Sequence, residues 1–169
     1  MRFSMYDLSI PIMRRGLAIL MEYLDKASAY ASENNIDPTV LINCRLAPDM
    51  LPLVAQVQRI SDNAKGAVGR LAAIEIPSFP DTEKTFSELK ERVAKTDAFL
   101  QTITPEQLEG SDARKLELRF RSVDGVLNGD TYLMSVLLPN FFFHMTMVHA
   151  ILRHNGMKVG KKDYLGSFA

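Results

Sequence analysis

Leu137-Leu138-Pro139-Asn140-Phe141-Phe142-Phe143-His144-Met145-Thr146-Met147-Val148-His149-Ala150-Ile151-Leu152-Arg153-His154-Asn155-Gly156 is the densest apolar run of the chain and holds all three of its histidines. It reads as the last long helix, capped by Asp130 and stopped by Gly156, with a kink or a break required at Pro139. At about 100° per residue, Asn140, Phe141, His144, Met147, Val148 and Ile151 fall on one side, while His149 is turned by about 140° from His144 and His154 by about 80°. The three histidines therefore do not converge, and a metal site built from this helix alone is disfavoured, because zinc needs three or four ligands on one point. Left to the spacing, His144 is a buried, hydrogen-bonded histidine, and His149 and His154 are surface or interface residues. Phe142, Met145 and His149 share the opposite face, so the helix is apolar nearly all round. Its back is expected to meet a second copy of the chain, making a homodimer; the alternative is that a hairpin preceding the helix covers it.

Working outward, three more helical stripes precede it. Ile10, Met13, Leu17, Leu20, Met21, Leu24 and Ala27 recur at three and four from Ser9 to Ala31, with Pro11 in the first turn. Asp37-Pro38 caps a short connecting helix that ends before Pro48. A second long helix begins near Asp49 and carries Leu53, Val57, Ile60, Ala64, Ala67, Leu71 and Ile74, with Gly66 and Gly69 admitting a close neighbour. The third opens on the capping box Thr85-Phe86-Ser87-Glu88 and runs through Leu89, Val93, Thr96, Leu100 and Ile103. Thr104-Pro105 then signals one further turn. Leu116, Leu118 and Phe120 alternate with Glu117, Arg119 and Arg121, and Asp124-Gly125 supplies a turn, which together predict a small hairpin. Lys158 to Tyr164 reads as an irregular tail. The expected fold is all-α: a four-helix bundle, residues 1–169 as a single domain, with a small β-hairpin between helices 3 and 4.

Composition narrows the partners. Twenty basic and twenty acidic residues cancel, which argues against nucleic acid. The lone Cys44 can form no intramolecular disulfide and fits a reducing cytoplasm. The N-terminal residues lack a leader pattern and no stretch reaches the roughly 18 apolar residues of a membrane span, so no membrane partner and a cytoplasmic location are expected. There is no nucleophile elbow, no phosphate-cradling glycine loop and no convergent pair of carboxylates.

Arg45-Leu46-Ala47-Pro48-Asp49-Met50, Asp62-Asn63-Ala64-Lys65-Gly66-Ala67, Pro139 to His144 and Ile151 to Gly156 closely resemble a bacterial domain-of-unknown-function family within the DinB/YfiT-like superfamily, which is regarded as a group of metalloenzymes. The resemblance runs from about Met5 to Gly166. It implies an up-down-down-up bundle, commonly dimeric, with a metal pocket made by one histidine of the second helix and a His-x-x-x-His pair of the fourth. It implies no particular activity, although better-known relatives include thiol-dependent transferases and isomerases. Carried across, the second histidine of the pair falls on His144, the first on Asn140, and the histidine of the second helix at or near Asn63. An amide oxygen is a weak ligand for a transition metal, so a divalent metal on His144, Asn63 and Asn140 is disfavoured.

Asn63, Asn140 and His144 are nevertheless expected to meet inside the bundle, with Gln56, Arg59 and Tyr6 lining the place. Three outcomes stay open: a hydrogen-bonded polar knot that fixes helix register, a small-molecule pocket in which His144 gives or takes a proton, or a metal site. The leading functional expectation is a bundle that binds a small polar molecule around His144. The other is a non-catalytic, homodimeric interaction protein.

Overall fold

The computed structural model describes residues 3–120 and 123–167. The fold is mostly helical: α1 (Ile10–Glu33), α2 (Pro38–Ile42), α3 (Leu53–Ala72), α4 (Phe86–Gln101), a 3-10 turn (Glu106–Leu108), an antiparallel hairpin of β1 (Lys115–Phe120) and β2 (Val123–Asn128), then α5 (Gly129–Tyr132), a π-turn (Leu133–Leu137), α6 (Leu138–His154) and α7 (Lys161–Leu165). Helix α3 packs on both α4 and α6, and α1 does the same from the other side. The stripes read from the sequence are the residues that meet in the middle. Ile10, Met13, Leu17, Leu20, Leu24 and Ala27 of α1, Leu53, Val57, Ile60, Ala64, Ala67 and Leu71 of α3, and Phe86, Leu89, Val93 and Leu100 of α4 all belong to one buried core.

The helix ends show how local chemistry sets the boundaries. Thr85 and Glu88 form the reciprocal capping box at the start of α4, as their spacing predicts. Asp37 caps α2 by accepting from the Thr39 amide at 2.8 Å. Helix α3, by contrast, begins at Leu53 and not near Asp49. Pro52 disfavours the helical conformation at Leu51 before it, so the helix can start only beyond the proline. Asp130 lies one residue inside α5, whose cap position is Asn128. The tail is more ordered than its composition predicts, because the Asp163 carboxylate accepts from the Gly160 amide at 2.8 Å and folds the short α7.

In the hairpin, burial overrules the turn signal. Leu116 and Leu118 are 7% and 1% exposed, and keeping both on the inner face fixes the register. Leu118 then pairs with Gly125, which places Asp124-Gly125 within β2 and not in the turn. Residues 121 and 122, Arg121 of the expected alternation among them, lie outside the described residues.

Helices α5 and α6 and the π-turn between them are continuous from Gly129 to His154. Pro139 neither stops nor splits this helix. The widened π-turn ends just before it and spans Ser135, the residue whose carbonyl the proline ring would otherwise meet. Averaged over 18 residues this helix has a mean hydropathy of 1.4, long and apolar enough by composition to cross a membrane. Counting uninterrupted apolar residues misses this, since Asn140, His144, Thr146 and His149 break the run without lowering its average far. Only 33% of that apolar window is buried. Phe141, Met145, Val148, Ile151 and Leu152 face the core, whereas Met134, Phe142 and Phe143 are 55%, 39% and 52% exposed. Met145, assigned above to the outward face with Phe142, is a core residue at 2% exposure.

Gly16 on α1 is where α6 comes closest. A Cβ there would lie 2.5 Å from Cε1 of the buried Phe141 ring, so glycine is what lets the two helices touch. Gly69 also accommodates a close neighbour, but the neighbour is Ile76 from the segment following its own helix. Gly16→Val is expected to destabilise the fold by about 1–3 kcal/mol through overpacking against Phe141, read as a lower urea midpoint. An unchanged or higher midpoint would show that this close approach is absent.

Candidate functional site

The polar centre of the fold lies between the first turns of α3 and the middle of α6. Gln56 is 2% exposed, and its amide nitrogen donates to the Leu51 carbonyl at 3.1 Å, using a backbone acceptor just before the helix. That bond fixes which way the amide points. Its carbonyl oxygen Oε1 therefore faces α6, where it lies 2.7 Å from Nδ1 of His144. An amide oxygen only accepts, so Nδ1 carries the proton. In the neutral ring Nε2 is then left as a lone-pair acceptor, and no described residue bonds to it.

His144 is 9% exposed, and burial, reinforced by the positive charge of Arg59, pushes its pKa down from 6.5 to about 4. The imidazole is neutral at pH 7. Arg59 is itself fixed from its other side: it pairs with Asp62 at 3.3 Å and with Asp81. Both carboxylates also bind Arg92, Asp62 at 2.8 Å and Asp81 at 3.0 Å. Arg92, whose side chain is 1% exposed, adds Glu83 at 2.9 Å and the Pro80 carbonyl at 3.1 Å. The segment from Pro80 to Glu83 is thereby tied to α3 and α4 around one buried guanidinium. Glu83, although burial raises its pKa, is held below the usual carboxylate range by its bonds from Arg92 and Gln58.

The residues expected at this place divide. Gln56 touches His144 directly and Arg59 acts on it through its charge. Asn63, half-buried, lies seven residues beyond Gln56 on the same line of α3, roughly 10 Å of helix rise from the point that His144 meets. Asn140 is exposed, and Tyr6 is half-buried at the edge of the core. Among the described residues none of these three hydrogen-bonds to His144. The antiparallel course of α6 along α3 explains the separation. Tyr132 bonds Arg70 near the end of α3 and His144 bonds Gln56 near its start, so Asn63 faces the region of the π-turn.

A metal pocket of the kind implied by the resemblance does not fit this donor set. One nitrogen of His144 is occupied by Gln56, neither asparagine hydrogen-bonds to the ring, and among the described residues no three His, Cys, Asp or Glu side chains gather to hold an ion.

Two features escaped the sequence reading. His149 is half-buried, and its Nδ1 lies 2.7 Å from the hydroxyl of the fully buried Tyr23. Burial raises the Tyr23 pKa, so the phenol keeps its proton. Tyr23 borders the α1 stripe one turn from Leu20, a position that signals burial even in a polar residue. Arg92 gave a similar signal: it lies between Leu89 and Thr96 on the buried seam of α4, where a charge must find partners. His154 is exposed, as the helical angle predicts.

A family model described as "Domain of unknown function (DUF1993)" matches residues 5–165. The chain belongs to the DUF1993 family. A solved structure of a DinB family member protein from Shewanella denitrificans is 35% identical to this chain, covers 96% of it and 92% of its own length, and superposes with a TM-score of 0.91. No curated protein matches. This DUF1993 chain is thus a DinB-like protein whose family carries no assigned activity.

The histidine gives this site a measurable signature. Between pH 6.5 and about 4 the unfolded chain binds a proton at His144 that the folded chain does not. Stability therefore falls as the pH falls through that window and does not change with this group above it. The full loss is on the order of 3 kcal/mol. His144→Gln is expected to remove this component, so that between pH 7 and pH 4 the parent loses that much more stability than the variant, by urea unfolding at each pH. Equal losses would show that His144 is not held neutral.

Proposed function

We propose that this DUF1993 protein is a cytoplasmic DinB-like four-helix bundle, with the up-down-down-up order of its four long helices, that binds a small polar molecule at His144. The observation that carries the reading is the free Nε2 of a histidine whose Nδ1 is fixed by Gln56. That nitrogen is open to solvent, so a ligand hydroxyl, amide N–H or protonated acid can reach it and donate to it. Arg59 supplies a positive charge at the same place, so ligands that combine an N–H or O–H donor with a carbonyl or carboxylate suit it best. His144, neutral at pH 7, can also accept a proton from such a ligand, and no step beyond that proton transfer follows from these residues.

Screening small amides and hydroxy acids by ligand-observed NMR tests the proposal. Binders are expected that lose at least tenfold in affinity in His144→Phe and severalfold in Arg59→Gln. Binders unaffected by His144→Phe, or no binders among such molecules, would contradict it.

A second reading, a homodimer, is favoured by the exposure of Phe142, Phe143 and Met134 along one helix. Such neighbouring apolar side chains are stabilised when a second copy covers them. Light scattering is then expected to give twice the chain mass for the parent and the monomer mass for Phe143→Lys. A parent that is monomeric at all concentrations would remove this reading.

A further inference from the structure

The last two turns of α1 and the segment that leaves α6 enclose a groove of about 450 Å³, apart from the His144 site, lined by Lys26, Tyr30, Glu33, Asn34, Met157 and Lys158 among others. That volume lies within the roughly 300–1,000 Å³ of small-molecule sites. Both walls are fixed. The Tyr30 hydroxyl donates to the Asn155 carbonyl at 3.1 Å, and Arg153 donates to the Val159 carbonyl at 2.7 Å. Gly156, at φ +93°, lets them close, since a Cβ there would come within 2.6 Å of the Tyr30 oxygen. Met157 and Val159, 3% and 2% exposed, are buried beneath the groove, and the exposed Ala29 and half-buried Tyr30 give it an apolar side.

Its charges are arranged unusually. Lys26 is engaged by Asp163 at 2.6 Å, but among the described residues Glu33 on the α1 wall and Lys158 on the opposite wall form no ion pair with each other or with any other group. Asn34 donates its amide nitrogen to the Tyr30 carbonyl at 2.8 Å, which leaves its side-chain oxygen as a further acceptor beside Glu33. One wall thus offers anionic and neutral acceptors and the other a cation, with apolar surface between them.

We infer that this groove binds a small zwitterion, a free amino acid or a short peptide with an apolar side chain. Its ammonium lies against Glu33 and Asn34, its carboxylate against Lys158, and its side chain against Ala29 and Tyr30. Neither charge of the pair suffices alone, because an exposed ion pair contributes little by itself; the two ends and the apolar contact act together.

The test is amide NMR of the full chain titrated with L-leucine, the dipeptide alanyl-leucine, N-acetyl-leucine and leucine methyl ester. Leucine or the dipeptide is expected to shift the amides of residues 29–34 and 156–159 saturably. Whichever binds more tightly identifies the free amino acid or the peptide as the better ligand. N-acetyl-leucine, which lacks the ammonium, and the methyl ester, which lacks the carboxylate, are each expected to bind at least fivefold more weakly than leucine. Glu33→Gln and Lys158→Gln, both exposed positions, are expected to weaken binding to the same degree while leaving the remaining spectrum in place. Absence of saturable shifts, capped forms that bind as well as leucine, or variants that bind as well as the parent would overturn the inference.

Discussion

Burying an imidazole between two helices is costly unless the nitrogen it buries finds a partner, and the candidate site depends on Gln56 meeting that demand at Nδ1 while Nε2 stays open to solvent. The Leu51 carbonyl orients the glutamine, the glutamine orients the proton on His144, and the proton leaves Nε2 as an acceptor. Each step is imposed by donor and acceptor chemistry, because a carbonyl oxygen can only accept. The start of α3 matters for the same reason. Pro52 sets the first helical residue at Leu53, and this leaves the Leu51 carbonyl outside the helix and available to Gln56.

A second polar structure holds this one in place. Arg92 sits on the seam of α4 among apolar residues, where an unpaired charge would be strongly destabilising, and it gathers Asp62, Asp81 and Glu83 around it. Two of these carboxylates also hold Arg59, whose charge helps to keep His144 neutral. Burial of one guanidinium thus fixes both the segment between α3 and α4 and the electrostatics next to the histidine.

Much of this fold is legible in the sequence, because the buried stripes follow the helical period and the caps follow local hydrogen bonding. Thr85 with Glu88 and Asp37 with Thr39 need nothing beyond their near neighbours. Boundaries governed by longer-range constraints are not legible in this way. The Asp124-Gly125 turn signal gives way to the burial of Leu116 and Leu118. The site is legible in its parts but not in its pairing. His144 faces inward as the helical angle requires and Gln56 lies among its expected neighbours. The register of α6 against α3 then decides that Gln56, and not Asn63, meets the ring. That register follows from the packing of whole helices, including the additional residue accommodated in the π-turn, which single-helix angles do not contain.

Long-range proton–nitrogen NMR of the imidazole rings tests the central claim most directly, because it reports the protonation of each nitrogen separately. At pH 6 His144 is expected to carry a protonated Nδ1 and an unprotonated Nε2 in the parent, and to lose this preference in Gln56→Leu. A His144 ring protonated on Nε2, or doubly protonated at that pH, would contradict it.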